Sequence, residues 1–389
     1  MDIPRLLPGQ LRTAAQAFPA VVLTGPRRSG KTSLLRSTFP AAQWVLLEDP
    51  DVLSRVRSDP RGFLDGLKPP VILDEIQNAP ELLAFVRTRI DHAPSERGRW
   101  LLTGSQEFSL MRGVTESMAG RAGVLSLLPF SVEETSAVSL LHGGFPEVVA
   151  APEHARLWFS SYLQTWLERD VRGVIGVRDL ALFRRFMSVV AARTGQLLNK
   201  TEIAAPLGVS VPTITAWIDA LEATGVLIVV PPWFTNFGKR LLKSPKVYFC
   251  DPGLTCHLLG LDDDAALERS PMLGAIWEGF VASEIAKHRL FRGRNRGLFG
   301  FRDAAGLDVD FLVEGPGVTP ILVEAKATRT PTPSDAVALR KLVAAGGLAG
   351  EHYVVHRRSA SPAPTSALAP GVAAVDLAGL HAALDARGL

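Results

Sequence analysis

The residues with chemical potential fall into two groups, one near each end of the chain. The first is Gly25-Pro26-Arg27-Arg28-Ser29-Gly30-Lys31-Thr32, followed by Ser33, within VVLTGPRRSGKTSLL. It fits the phosphate-loop pattern G-x-x-x-x-G-K-[ST]. Gly25 and Gly30 allow backbone geometry that a Cβ would obstruct, so the loop can turn its N–H groups inward around a phosphate. A helix starting near Lys31 adds the positive end of its dipole. Lys31 would then reach the β- and γ-phosphates of a nucleotide, and the Thr32 hydroxyl would ligate Mg²⁺. The competing reading is a glycine turn between a buried strand and a helix. Residue frequencies predict a chance match on the order of once in a hundred such chains.

Three further stretches would complete that site. Val71-Ile72-Leu73-Asp74-Glu75 is an apolar run ending in two carboxylates. Asp74 would hold the Mg²⁺ through water, and Glu75 would orient or deprotonate an attacking water. Arg99 to Ser105 reads as a buried strand with a small polar end. Ser105 is the candidate sensor of the γ-phosphate, or else a simple strand terminus. Arg121, before the strand 124–128, would reach a phosphate in its own or a neighbouring subunit, or is an ordinary surface arginine.

The second group lies beyond residue 270. Gly274 to His288 reads as an amphipathic helix carrying Glu278, Leu307 to Val313 as a strand carrying Asp310, and Ile321 to Lys326 as a buried strand ending in Glu324 and Lys326. Acidic helix, acidic strand, hairpin and E-x-K strand, in that order, resemble the core of the PD-(D/E)xK restriction-endonuclease-like fold. The resemblance implies Asp310 and Glu324 on a second divalent metal, Glu278 as an outer ligand, and Lys326 steadying the attacking water or developing phosphate charge. Two alternatives remain open: salt bridges on the edge of an α/β domain, and the fold without the activity. Arg292, Arg294, Arg296 and Arg302, interleaved with Phe291, Phe299 and Phe301, suit a nucleic-acid strand or a solvated basic hairpin.

Both groups need strands and helices to hold them. Strands alternating with helices before residue 128 predict a parallel sheet covered on both faces, with a short buried strand at Trp44–Leu47 and a lead-in helix at 10–18. Residues 129–192 read as a mostly helical lid broken once at Gly143-Gly144-Phe145-Pro146. Leu163, Trp166, Leu167 and Val171 face one side of its main helix, with Glu168, Arg169, Asp170 and Arg172 on another. From 193 to 248 the pattern is a winged helix-turn-helix. A short helix ends at Leu207-Gly208, Ser210 caps the next, and Ile214, Trp217, Ile218 and Leu221 form its buried stripe. Thr213, Thr215 and Asp219 point outward without an arginine or lysine, which leaves DNA contact and a structural or protein-contact role both open. Lys239, Arg240, Lys243 and Lys246 would meet phosphate backbone or line a solvated edge. Residues 249–389 form the last domain, with a loop at Ser359–Pro370.

The totals set bounds. The chain has 389 residues, 47% of them hydrophobic, with net charge +3 and pI near 9.0. That suits two to four domains, excludes a disordered composition, and permits nucleic-acid binding without requiring it. Cys250 and Cys256 are too few for a disulfide framework or a structural zinc site. The start MDIPRLLPGQ has no secretory signal pattern, and no apolar run reaches membrane-span length, so a cytoplasmic location is expected.

Nearly the whole chain resembles the bacterial and archaeal AAA-type "ATP-binding proteins" whose ATPase precedes a C-terminal domain of unknown function. GPRRSGKT, VILDE, LLTGS, AGR, GGFPEVV, YLQTWLERDVR, RTGQLLNKTEIA, KRLLKSPKVYFCDPGL, WEGFVASEI, LDVDFLV and LVEAKA carry the resemblance, in that order. It implies an α/β fold: a P-loop AAA-type ATPase (1–128), helical lid (129–192), winged helix-turn-helix (193–248) and nuclease-like C-terminal domain (249–389). ATP and Mg²⁺ are its implied cofactors. Three functions follow: ATP hydrolysis coupled to DNA binding or processing, an ATP-gated metal-dependent nuclease, or a non-cutting ATP-switched DNA-binding regulator. If Arg121 acts across subunits, a homo-oligomeric ring such as a hexamer would suit it.

Overall fold

The computed structural model describes residues 3–104, 118–166, 179–233, 244–294, 297–303, 306–346, 350–359 and 365–389. Its first sheet contains β1 (Ala20–Thr24), β2 (Gln43–Leu46), β3 (Val71–Asp74), β4 (Trp100–Thr103) and β5 (Ala122–Ser126). The order is β2-β3-β4-β1-β5, and all pairings are parallel. Their carboxyl ends therefore share one edge, where the loops after β1 and β3 emerge. β1, β3 and β4 are buried throughout, as continuous apolar runs require. Successive residues serve opposite faces: Val22, Leu73 and Leu102 join one core, and Val21, Ile72 and Leu101 the other. Truncating such a side chain, for example Leu23→Ala, costs about 2–5 kcal/mol. The expected buried strand at 44–47 is only half so: β2 is the sheet edge, and Trp44 is 40% exposed.

The middle of the chain begins with turns rather than helix up to residue 145. Helices Pro146–Ala150, Ala155–Trp166 and Leu180–Ala191 follow. Leu163 and Trp166 are buried as expected. Leu167 and Val171, and the charged set Glu168, Arg169, Asp170 and Arg172, lie outside the described residues. The helix pair comes next. Asn199 caps Lys200–Ala204, Gly208 turns the chain with φ 65°, and the Ser210 side chain caps Val211–Ala223 by accepting from the Thr213 N–H. The two arms, Lys200–Leu207 and Val211–Ala223, cross at 110°. A two-stranded antiparallel ribbon, β6 (Leu227–Val230) and β7 (Lys246–Phe249), completes this region. Ile214, Trp217, Ile218 and Leu221 share one core with Phe183, Phe186, Phe249 and Leu254.

The second large sheet has six strands: β8 (Leu298–Arg302), β9 (Asp308–Gly315), β10 (Val318–Lys326), β11 (His352–His356), β12 (Ala367–Ala369) and β13 (Val372–Val375). Their order is β12-β13-β11-β10-β9-β8. β8, β9 and β10 run antiparallel, whereas β10, β11 and β13 run parallel. β12 replaces part of the loop expected at 359–370. The helix Leu273–Phe291 lays Trp277, Phe280, Val281 and Ile285 against Phe311, Val313, Ile321 and Val323. Leu339 and Leu342 cover the other face. The last residue of that helix, Phe291, packs into the core of the first sheet beside Leu7 and Leu23.

Among the described residues no single helix is long and apolar enough to cross a membrane.

Candidate functional site

The loop after β1 is shaped by its two glycines. A Cβ on Gly25 would lie 2.1 Å from the Leu127 carbonyl oxygen, and Gly30 has φ 92° with open space where its Cβ would be. Gly30 also caps the helix Lys31–Thr38, and no side chain satisfies that helix's first N–H groups. The helices beginning at 50, 180, 211 and 252 each have an Asp or Ser side chain in that role. Lys31 is 5% exposed, and its ammonium donates to the carbonyls of Gly25 (3.0 Å) and Pro26 (2.9 Å). Ser29 Oγ is buried without a hydrogen-bond partner. Donors facing a glycine cradle, an uncapped helix start and an orphaned hydroxyl fit a bound phosphate group.

Asp74 ends β3 beside this loop and is 2% exposed. Three neutral groups hold its carboxylate. The Thr32 hydroxyl donates at 2.9 and 3.1 Å, Trp44 Nε1 donates at 3.2 Å, and the Thr103 hydroxyl donates to Oδ1. Hard oxygen ligands held by neutral donors suit a magnesium ion. Glu75 follows in the left-handed region, φ 58° and ψ 51°. Its N–H donates to Thr103 Oγ1 at 3.1 Å, and its carboxylate accepts from the Gln77 amide. Among the described residues the two non-glycine positions with positive φ are Arg28 and Glu75. Both are at this site, where held backbone strain of about 1–3 kcal/mol per residue is characteristic.

The flanking arginines are tied outward. Arg28 lies 3.4 Å from Glu147 on the helix Pro146–Ala150, and Arg27 lies 3.7 Å from Glu48. Pro26 and Ser33 lie within the loop and the first helical turn. Two contributors were not foreseen. Thr103 links Asp74 to the Glu75 backbone, and only its place in a polar strand end hinted at this. Arg5 donates to the carbonyls of Leu128 (2.6 Å) and Ser29 (3.4 Å) while pairing with Glu134 at 3.0 Å. No local sequence pattern marks Arg5. Ser105 lies outside the described residues.

Arg121 is not brought to the phosphate loop of its own chain. It precedes β5, whereas the loop follows the carboxyl end of the parallel neighbour β1, a five-residue strand of about 17 Å away. Its guanidinium instead pairs with Asp91 at 2.6 and 3.1 Å.

The C-terminal residues do converge, around a group that was expected elsewhere. Lys246 on β7 is not a backbone-phosphate contact. Its side chain is 7% exposed, and Nζ lies 3.0 Å from Glu278, 3.3 Å from Asp310 and 3.6 Å from Asp308. Tyr248, two residues along the same strand, donates its hydroxyl to Glu278 at 2.5 Å. Asp310 accepts the Ala325 N–H at 2.9 Å, and Lys326 pairs with Glu324 at 2.7 Å. Glu324 Oε2 is buried without a partner. Burial, with Asp310 close by, pushes the Glu278 carboxyl up to about 7 and the Glu324 carboxyl up to about 8. The cluster gathers the carboxyl groups of Glu278, Asp308, Asp310 and Glu324, and such oxygen donors fit a hard divalent ion. Lys246, Asp308 and Tyr248 were missed. The equal parity of Lys246 and Tyr248 on one strand was the available signal.

The basic and aromatic stretch before β9 resolves differently from the stacking reading. Phe291 and Phe301 are core residues at 3% and 4% exposure. Arg292 pairs with Glu133 and Asp385, and Arg302 lies 3.9 Å from Asp308. Arg296, Lys239, Arg240 and Lys243 lie outside the described residues.

Three family models match in succession: an AAA domain over residues 17–136, a domain of unknown function (DUF8612) over 134–265, and a domain of unknown function (DUF4143) over 273–367. The uncharacterized proteins Rv2008c of Mycobacterium tuberculosis and Mb2031c of Mycobacterium bovis are each 36% identical over 331 residues, 83% of this chain and 74% of theirs. Among solved structures, the Walker-type ATPase PABY2304 of Pyrococcus abyssi overlaps with a TM-score of 0.43 at 18% identity, covering 64% of this chain and 94% of that one. The Thermotoga maritima RuvB Holliday junction branch migration motor overlaps at 0.28 and 16%, covering 58% of this chain and 89% of that one.

Proposed function

This chain belongs to the family of the two mycobacterial proteins and carries an AAA-type P-loop domain, and from that premise we propose that it is a Mg²⁺-dependent ATP-hydrolysing switch or motor. The observation that carries the reading is the pairing of Thr32 with Asp74, directly above a glycine loop whose lysine is already folded inward. Gly25 to Ser33 would cradle the phosphates. Lys31 would release its two carbonyl partners to meet the β- and γ-oxygens, while Thr32 and Asp74 hold the metal. Bound Mg²⁺ supplies charge neutralisation at the transferring phosphate. Glu75, fixed by Thr103 and Gln77, would position the attacking water and take its proton. Ser105 would sense the γ-phosphate. Arg121 would act on a neighbouring subunit's nucleotide in a ring, giving up an exposed, solvent-screened pair with Asp91. The test is ATP turnover and binding in Lys31→Ala; if that variant hydrolyses ATP like the parent protein, the reading is wrong.

The work done by ATP is proposed to fall on DNA in the cytoplasm, with 1–128, 129–192, 193–248 and 249–389 as the working units. The crossed helix pair with its ribbon supports this. A second reading, an ATP-gated metal-dependent nuclease, is supported by the convergence of Glu278, Asp310 and Glu324, with Lys326 beside them to stabilise phosphate charge. Following a labelled duplex with Mg²⁺ and ATP, for the parent and for Lys326→Ala, tests it. Cutting lost in the variant supports the nuclease. A duplex that is bound but intact points to a regulator, against which the fixed Glu75 speaks.

A further inference from the structure

Residues 131–134, the end of the helix Leu273–Phe291 and the last helix, Leu377–Ala386, meet at a seam that neither site above uses. Glu133, His288 and His381 converge there. His288 Nδ1 lies 3.2 Å from Glu133 Oε2, and His381 Nδ1 lies 4.0 Å from the same oxygen. One ligand atom from each of the three lies within 4.8 Å of the others. The imidazoles stack at 5.2 Å with 12° between their planes.

The far nitrogen of each imidazole faces another carboxylate. His288 Nε2 is 3.6 Å from Asp385, and His381 Nε2 is 3.7 Å from Glu284. These carboxylates are themselves anchored. Arg292 donates to Asp385 at 2.6 Å, while the Val132 N–H (2.9 Å) and Lys287 (3.0 Å) donate to Glu284. Arg292 also donates to the other oxygen of Glu133 at 2.7 Å and, more distantly, to Oε2 at 3.4 Å, which fixes the carboxylate with Oε2 towards the histidines. Both rings are buried, at 0% and 4% exposure. His288 Nε2 and both ring nitrogens of His381 nevertheless have no hydrogen-bond partner. Buried polar atoms without partners call for a bound species. An imidazole with a carboxylate behind its second nitrogen is the arrangement that orients a metal-ligating histidine.

We propose that Glu133 Oε2, His288 Nδ1 and His381 Nδ1 bind one divalent transition-metal ion of the zinc class. Two imidazoles and a carboxylate form a borderline donor set suited to Zn²⁺ and unlike the all-oxygen sets at Asp74 and Glu324. Zinc–nitrogen distances near 2.0 Å place tetrahedral ligand atoms about 3.4 Å apart, so Glu133 and His288 at 3.2 Å already have the spacing and His381 Nδ1, at 4.0 Å from Glu133, has to move closer on binding. The ion would pin the stretch after the first sheet to the C-terminal helices. The site is independent of the ATPase and nuclease readings.

The experiment uses the full-length protein, stripped with chelator and titrated calorimetrically with Zn²⁺ in the absence of nucleotide. One equivalent is expected, with affinity reduced at least tenfold in both Glu133→Gln and His381→Gln and retained in Glu324→Gln and Lys31→Ala. Circular dichroism establishes that the variants are folded. Zn²⁺ should raise the melting temperature of the parent but not of Glu133→Gln, and Co²⁺ should give a ligand-field spectrum that both variants lose. No Zn²⁺ equivalent in the parent, an equivalent that survives both substitutions, or one lost only in Glu324→Gln overturns the assignment.

Discussion

The two acidic sites solve the same electrostatic problem in opposite ways. Asp74 is buried among hydroxyls and an indole N–H, all neutral, and the nearby Lys31 ammonium is occupied by loop carbonyls. Its charge is hydrogen-bonded but not cancelled. Glu278, Asp308 and Asp310 surround the ammonium of Lys246. Their charge is partly cancelled from within the chain. A carboxylate satisfied by neutral donors keeps its full attraction for an incoming cation, whereas one paired with an internal lysine holds the fold together with the same interaction. The first site is thus built for exchange with a ligand, and the second has structure and chemistry entangled.

That contrast can be broken by substitution. Glu75→Gln should lower ATP turnover by about 10²–10⁴-fold with little change in melting temperature, because it removes a base rather than a structural charge. Steady-state hydrolysis and thermal melts on one preparation decide this, and unchanged turnover would remove the chemical half of the comparison. Lys246→Ala should do the reverse. It strands three carboxylates and should cost about 3–5 kcal/mol in denaturant unfolding, with Glu278→Gln added to it recovering part of the loss. A neutral Lys246→Ala would show that the ammonium is incidental.

Titration sharpens the difference further. In the fold, Glu278 and Glu324 are raised to about 7 and about 8 from an ordinary 4.5. The folded state holds those protons more tightly than the unfolded chain does. The stability they contribute is full below about pH 4.5 and is lost as pH rises through 7 to 8. Melting in chelator should therefore decline between about pH 5 and 8.5, and Glu324→Gln should flatten the decline. A parent and variant with parallel profiles would refute the shift. The smallest effect is expected at the strained loop. Arg28→Gly relieves a left-handed φ of 63° and should raise stability by about 0.5 kcal/mol, after the entropy of the added glycine is subtracted. A drop in the denaturation midpoint would mean that the Glu147 contact outweighs the strain.

The local features were legible, and the long-range ones were not. The strand, loop and helix from Val21 to Leu35 follow from glycine spacing and apolar flanks, and Ser210 announces its helix by side-chain chemistry alone. Glu278, Asp310 and Glu324 were recognisable from the order of an acidic helix, an acidic strand, a hairpin and an E-x-K strand. Lys246 was misplaced because its environment is set by strands that begin some 60 residues later. Arg121 shows the same limit. Its neighbours in sequence do not reveal that parallel pairing with β1 puts it at the far end of the sheet. Trp44 was expected to be buried because its apolar run does not distinguish an edge strand from a central one.

The Lys246 cluster has a consequence for how the molecule comes apart. β7 contributes Phe249 to the core of the middle helices, while its Lys246 neutralises carboxylates on the last sheet. Detaching the final segment near residue 249 would take Lys246 away from Glu278, Asp308 and Asp310, and Phe249 and Leu254 away from the middle core. The middle and C-terminal regions are therefore expected to unfold as one cooperative unit: in calorimetry they should melt in a single transition, and a fragment starting at residue 249 should fold poorly alone.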